Sequence, residues 1–320
     1  MSGPSTAGTE LVQLGRVRAG ALDELLEEEI RVWRRELQWD FAPTAQLVRR
    51  HVDLESLAGF ALLAGKRAVG YAYFVSEDRK GLVGDLYVME AFRDRDSEAR
   101  LLAAVLDALR KRWNVRRVES QLMLLEAGLE RPLPEAARLK RFERQLMMVE
   151  AGRARGLAPR EAAGVTFQPW DEKFQDEAAR VIVAAYRGHI DGEINDQYRS
   201  LSGARRFLYN IVQYPGCGAF SPAASWLAML EGSSRVCGIC LASLVADDVG
   251  HITQVCLTPE ARGRGAGYEL LRRSLAALAG SGVASVSLTV TTQNRRAVAL
   301  YESMGFVALR RFAALVWEGL

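Results

Sequence analysis

The sequence predicts a mixed α/β protein, an α+β arrangement with a mixed sheet, built from two copies of one unit. Three observations carry that expectation. Residues 86–109, "LYVMEAFRDRDSEARLLAAVLDAL", lie without a gap on residues 255–278, "VCLTPEARGRGAGYELLRRSLAAL", so that Arg93, Arg95, Leu101, Leu102, Leu106, Ala108 and Leu109 meet Arg262, Arg264, Leu270, Leu271, Leu275, Ala277 and Leu278. After a one-residue adjustment, "VGYAYFV" from Val69 falls on "CGICLAS" from Cys237, and "VRRVESQL" from Val115 on "VASVSLTV" from Val283. Both copies also run in one order: helical patterning, a pair of strands, then a strand, a turn, a long helix and a further strand.

The elements follow from periodicity. Helical patterning covers 21–37 in the first copy, and 176–186 and 203–212 in the second. Strand pairs are expected at 59–64 with 68–75, and at 225–230 with 235–245. A strand at 250–258 ends at Pro259, and the turn "ARGRGAG" delivers the chain into a helix over 268–278. Between the copies, "EAGRARGLAPREAAG" is rich in Gly, Ala and Arg and holds a proline, so a linker is expected at 151–164 between domains 1–150 and 165–320.

Composition narrows the classes. With 42 basic against 39 acidic side chains, the net charge of +3 provides no strong field to draw the chain to nucleic acid or an anionic membrane. No apolar run reaches membrane-spanning length and "MSGPSTAGTE" lacks the features of a secretory signal, so no membrane partner and a cytoplasmic location are expected. Four cysteines, at 217, 237, 240 and 256, are too few and too clustered to staple 320 residues. Cys237 and Cys240 form a C-x-x-C, but in a strand residues three apart face opposite ways, so both read as buried small hydrophobes. Only three histidines exist, at 51, 189 and 251, none in ligand spacing, so no metal is expected.

The turn is where chemistry is expected. Glycines at 263, 265 and 267 allow positive φ and leave no Cβ in the way, so several N–H groups can point at one spot. The helix start adds unpaired donors and about half a positive charge. Arg262 and Arg264 add fixed charge, which suits a pyrophosphate better than one carboxylate. The spacing is neither the dinucleotide fingerprint nor a Walker loop.

The pattern Arg262-x-x-Gly265-x-Gly267, followed after a strand by "NRRAVALYESMGF" over 294–306, resembles the GNAT superfamily of acyl-CoA-dependent N-acyltransferases. The resemblance covers residues 165–320 and, with the repeat, implies two tandem GNAT-like acyl-CoA N-acyltransferase domains. It implies that Arg262, Gly263, Arg264, Gly265, Ala266 and Gly267 cradle the pyrophosphate of acetyl-CoA. It further implies that Val255 and Leu257 offer backbone groups to the pantetheine arm, that Asn294 helps from the other side, and that Tyr301 protonates the departing thiolate.

Amine attack on a thioester also needs a neutral amine, hence a base. His251 is the expected base: it opens the strand before the turn, where histone-acetylating relatives carry a glutamate, and an ordinary imidazole titrates near working pH. Gln254 and the Asp247–Asp248 pair are rivals, since a bulge in this strand changes which side chains face the cleft. A base acting through water is another route. For the acceptor, Asp191, Glu193 and Asp196 in "YRGHIDGEINDQYR" can bind an ammonium, with Tyr198 or Tyr214 as pocket wall, or can simply cap helices. Cys217 can line the same cleft, but nothing nearby would lower its pKa for an acyl-cysteine step.

The first copy departs from this pattern, with Asp94, Asp96 and Glu98 where the second has glycines. Three carboxylates repel a pyrophosphate and give the helix start an internal anion. Leu82, or its neighbour, replaces His251, and no tyrosine answers Tyr301, so domain 1–150 reads as a degenerate copy that does not bind coenzyme A. A degenerate copy before a working one is similar in architecture to the mycothiol synthases, but their substrate-side residues are not found here. The expected activity is N-acetylation of a primary amine by direct attack in a ternary complex, in a monomer or homodimer. A small-molecule acceptor is preferred to a protein N-terminus because residues 165–320 are near neutral, with 15 basic and 14 acidic side chains. The competing expectation is a non-catalytic acyl-CoA sensor or scaffold.

Overall fold

A computed structural model of the chain describes residues 8–94, 96–125, 132–214, 218–233 and 235–320. Its contacts divide the chain into two units, residues 1–144 with 311–320, and residues 145–310.

In the first unit, β1 (Glu10–Gln13), α1 (Asp23–Leu37) and α2 (Ala42–Asp53) precede a meander of β2 (Gly59–Ala64), β3 (Arg67–Glu77) and β4 (Lys80–Val88). Then α3 (Ser97–Arg110) crosses over to β5 (Arg117–Gln121), which lies parallel to β4. The outer neighbour of β5 is the end of the chain: β13 (Val307–Glu318) pairs antiparallel with it from Ala314↔Gln121 to Glu318↔Arg117. Arg117 bridges Glu119 and Glu318 at 2.6 and 2.5 Å, tying this strand in place.

The second unit begins within β6 (Leu139–Glu150) and continues through α4 (Ala151–Arg155), β7 (Val165–Pro169), α5 (Gln175–Tyr186), α6 (Asp191–Ile194) and α7 (Leu201–Gln213). Then come β8 (Ala219–Phe220), β9 (Trp226–Leu230), β10 (Val236–Ala246), β11 (Val249–Leu257), α8 (Ala266–Gly280), β12 (Ser285–Thr291) and α9 (Arg295–Ser303). The strand order is β7-β9-β10-β11-β12-β6, with β7, β9, β10 and β11 antiparallel in turn and β11 parallel to β12. The apolar sides of α5 and α7 cover one face, with Ile182, Leu208, Ile239 and Leu241 in one cluster; α8 and α9 cover the other, with Leu271, Leu275, Val286 and Phe306.

Segment 151–164 is therefore not a free linker. Ala151, Ala154 and Ala162 pack into the second unit's core, Ala151 N–H donates to the Ala284 carbonyl at 2.9 Å, and Arg155 Nη2 donates to the Ala279 carbonyl at 2.6 Å. A composition of Gly, Ala and Arg resembles a linker by residue type, yet alanine also favours helix and packs closely.

Both units carry a bulge at the same repeat position. Opposite Tyr73 and Phe74 stand Asp85 and Val83, leaving Gly84 extra; opposite Leu241 and Ala242 stand Gln254 and Ile252, leaving Thr253 extra. The Tyr73 ring lies 2.1 Å from where a Cβ of Gly84 would sit, so any side chain there would displace that ring. Thr253 instead sends its hydroxyl to the Leu241 carbonyl at 3.0 Å. Past the bulge β11 leaves β12: the parallel register ends at Ile252↔Leu288, and the β12-facing backbone edge of 254–257 is left open.

The C-x-x-C pair needs one correction. Cys237 and Cys240 are buried and free, but they share the α8-side cluster instead of diverging, because a register shift between Val236 and Gly238 breaks strict alternation. Burial pushes their thiols up, to about 11 and about 12, so neither is a redox nucleophile at neutral pH. No helix among the described residues is long and apolar enough to cross a membrane.

Candidate active site

Where β11 leaves β12, a cavity of about 500 Å³ opens between the last residues of β11, the start of α8, and α9. Val255, Cys256 and Leu257 form its floor; Gly263, Gly265 and Gly267 form one rim, and Asn294, Arg296, Leu300 and Tyr301 the other. Tyr186 and His189 come in from the end of α5.

The turn is shaped by its glycines. Gly263 and Gly265 have φ of 78° and 85°, and a Cβ on Gly265 would lie 2.8 Å from the Glu161 carbonyl oxygen. No side chain caps α8, so the first-turn N–H groups, and with them the positive end of the helix, face whatever sits at the turn. Ala266 is the buried first residue of that helix, and its side chain takes no part in the cavity wall.

The cations are distributed differently from the sequence expectation. Arg262 lines the cavity, but its Nη2 donates to the Ala185 carbonyl at 2.6 Å, so it is anchored at the C-terminus of α5. Arg264 is not a lining residue: its guanidinium lies 3.4 Å from the Cβ position of Gly164. Its place at the turn is taken by Arg296, whose guanidinium reaches within 3.6 Å of the Cβ position of Gly263. Sequence reasoning missed Arg296 because it sits 33 residues downstream of Gly263 and reaches the turn only through the fold, though it lies inside the quoted "NRRAVALYESMGF".

Asn294 lines the cavity and caps α9, accepting the Ala297 N–H at 3.3 Å. Two turns on, Tyr301 is 7% exposed and packs its ring 6.0 Å from Phe306. A half-buried polar network lies near it. Gln254 Nε2 donates to the Tyr186 hydroxyl at 2.7 Å, Gln254 Oε1 accepts from the Tyr198 hydroxyl at 3.3 Å, and the two rings stack at 4.4 Å. Burial above all, with Cys256, Tyr198, Asp191 and Tyr301 close by, pushes the Tyr186 hydroxyl well above the usual phenol range, so it stays protonated. The Cys256 thiol is likewise pushed up to about 12 by burial. A thiol in that state is a poor nucleophile at neutral pH, so Cys256 lends the site no acyl-cysteine route.

His251 is not brought to this cavity. It is 4% exposed within β11, paired across the sheet with Ser243 and Ser287, and its Nδ1 lies 2.9 Å from Ser287 Oγ. It precedes the bulge, where β11 is still closed on both edges by β10 and β12, so the strand shields it. Asp247 and Asp248 sit at the β10–β11 turn, where the Asp248 carbonyl takes the Ala284 N–H at 2.7 Å.

The histidine on the wall is His189. Its Nδ1 accepts the Asp191 main-chain N–H at 3.2 Å, which puts the proton of a neutral ring on Nε2, and its ring stands edge-on to Tyr186 at 5.4 Å. Asp191 backs it, with a carboxylate oxygen 3.6 Å from Nδ1 and the other bonded to the Thr291 hydroxyl. Glu193, exposed on α6, and Asp196, at the following turn, do not line the cavity, and Tyr214 is 58% exposed elsewhere. Cys217 lies outside the described residues.

Residues 193–306 match the family model described as the acetyltransferase (GNAT) family. The chain is 31% identical over 265 residues to a mycothiol acetyltransferase of Thermobispora bispora, covering 78% of this chain and 80% of that one. A GCN5-related N-acetyltransferase from Sphaerobacter thermophilus is similar in structure, with a TM-score of 0.70 at 19% identity over 98% of this chain and 96% of that one. A tandem GNAT protein from the clavulanic acid biosynthesis pathway gives 0.60 at 16% identity over 98% and 99%. These two likenesses are ones of fold.

Proposed function

Because the chain belongs to the GNAT family of acetyltransferases, we propose that its second unit carries an acetyl group from acetyl-CoA to the primary amine of a small molecule, while the first unit is a degenerate GNAT-like copy without a coenzyme site. The observation that carries this reading is the conjunction, on one cavity, of an uncapped helix start, an open strand edge and a buried tyrosine. The residues fit the donor: N–H groups at 263–267 with Arg296 suit a pyrophosphate, and the unpaired edge at Val255 and Leu257 suits an amide-bearing arm. The thioester supplies an activated acyl group; the chain positions it and moves protons.

Tyr301 gives its hydroxyl proton to the departing sulfur and recovers one from the nitrogen of the collapsing tetrahedral intermediate. The amine enters as the free base, its first proton going to solvent through the open mouth of the cavity. His189, with Nδ1 held by Asp191, offers Nε2–H to an oxygen of the acceptor or of the thioester. Tyr186, bonded to Gln254 and stacked on Tyr198, lines the acceptor side with His189, and Asp191 keeps His189 in place. The near-neutral second unit and the mycothiol acetyltransferase relative both favour a small acceptor over a protein.

Purified full-length protein mixed with acetyl-CoA and a panel of small primary amines tests the reading. Free thiol should appear in step with acetylated amine for at least one chemical class. Binding of acetyl-CoA with no turnover on any amine would support a sensor instead, and no binding would remove both readings.

A further inference from the structure

We propose that Arg160, laid over Tyr268, forms a second anion subsite that takes the 3′-phosphate at the adenosine end of the coenzyme; this rests on the acyl-CoA reading above. The segment before β7 is strapped along the first turns of α8. The Tyr268 hydroxyl donates to the Ala158 carbonyl at 2.9 Å, and the Arg160 N–H reaches Glu269 Oε2 at 3.4 Å. This brings the Arg160 guanidinium to 3.9 Å from the centre of the Tyr268 ring, and both side chains line the cavity.

The contact with the ring face holds the guanidinium in place and still lets its N–H donors meet an anion. The nearest carboxylate is already engaged: Glu269, 3% exposed, accepts from Arg272 at 2.6 and 2.8 Å and from Arg273 at 2.9 Å. Among the described residues no carboxylate pairs with the Arg160 guanidinium, so the subsite keeps its charge.

Charge decides what goes there. A guanidinium repels an ammonium, so this part of the wall does not suit the acceptor, whose polar partners Tyr186 and His189 come from α5. The turn with Arg296 accounts for one anion, the pyrophosphate. The remaining anion on an acyl-CoA is a phosphomonoester, close to dianionic at neutral pH and matched by a forked donor. Arg160 thus separates a 3′-phosphorylated donor from its dephosphorylated form.

The test compares the affinities of full-length protein for acetyl-CoA and 3′-dephospho-acetyl-CoA, in wild type, Arg160→Met and Arg160→Lys. Wild type should prefer acetyl-CoA by about tenfold at low salt, as one charge-assisted contact on an open wall allows. Arg160→Met should bring the preference to about twofold or less while dephospho-acetyl-CoA binding stays within about twofold, which also shows that the variant is folded; Arg160→Lys should fall between. Rising salt should erode the wild-type preference. The proposal is overturned if wild type does not distinguish the two donors, or if Arg160→Met weakens both equally, which would assign Arg160 to the adenine or the pyrophosphate. Failure of wild type to bind either donor would instead strike at the acyl-CoA reading.

Discussion

The two units build the same strand-turn-helix corner and fill it in opposite ways. In the first, Asp94 Oδ1 accepts the N–H groups of Asp96 and Ser97 at 3.0 and 2.8 Å, so the start of α3 holds an anion of its own. Glu98, 3% exposed, lies 3.8 Å from Arg93, which answers Arg262 in the repeat. In the second, glycines occupy those three places and the start of α8 has no side-chain cap. A corner that holds its own carboxylate satisfies its helix start internally, whereas the corner proposed for the coenzyme presents uncapped N–H groups. A second contrast lies beside the bulge. Gln254 with Tyr186 makes a neutral pair, but the matching Asp85 faces the fully buried Glu29, with the Tyr71 hydroxyl on Asp85 at 3.0 Å and Trp33 Nε1 on Glu29 at 3.3 Å. Burial first, and then the charge of Asp85, pushes the Glu29 carboxyl well above the usual range, so this pair retains a proton.

Copying the first unit's anion into the second should have the largest effect. Gly263→Asp places a carboxylate where Asp94 stands, and acetyl-CoA affinity should fall by about 100-fold or more, read by calorimetry; an unchanged affinity would show that the turn is not the pyrophosphate site. Next comes Tyr301→Phe, which should lower kcat by about 100-fold while acetyl-CoA affinity stays within about twofold. Equal loss of binding and rate would make Tyr301 a packing residue.

Glu29→Gln sharpens the second contrast. A carboxyl whose folded pKa is raised binds more protons folded than unfolded, so its contribution to stability is greatest near the bottom of that window and falls as pH climbs towards the raised value. The slope is up to about 1.4 kcal/mol per pH unit for one proton. Melting temperatures between pH 5 and 9 should therefore decline less for Glu29→Gln than for wild type, and parallel curves would count against a retained proton. The smallest effect is expected for Asp94→Ala, which removes the carboxylate bonded to the Asp96 and Ser97 N–H groups at the start of α3, costs about 1 kcal/mol in denaturant unfolding, and leaves acetyl-CoA binding unchanged.

Much of the corner was legible because its determinants are local. The spacing of Gly263, Gly265 and Gly267 dictates backbone shape directly, and the period of "NRRAVALYESMGF" puts Asn294 and Tyr301 two turns apart on one helix face, both on the cavity wall. What was not legible depends on long-range approach. Arg296 and Arg160 reach the cavity from elements whose packing no spacing encodes, and the strap at 151–164 resembles a linker until its alanines find α8. His251 looked well placed along the chain, but the bulge at Thr253 opens the strand only after it. The C-terminal strand is harder still: nothing in the residues of 311–320 names β5 as their partner.

The most direct measurement is the number of acetyl-CoA sites per full-length chain by calorimetric titration. One site per chain is predicted, because only the second unit leaves its corner open. Two sites would mean that Asp94 yields to the ligand and that the first unit is not degenerate, and none would contradict the acyl-CoA assignment itself.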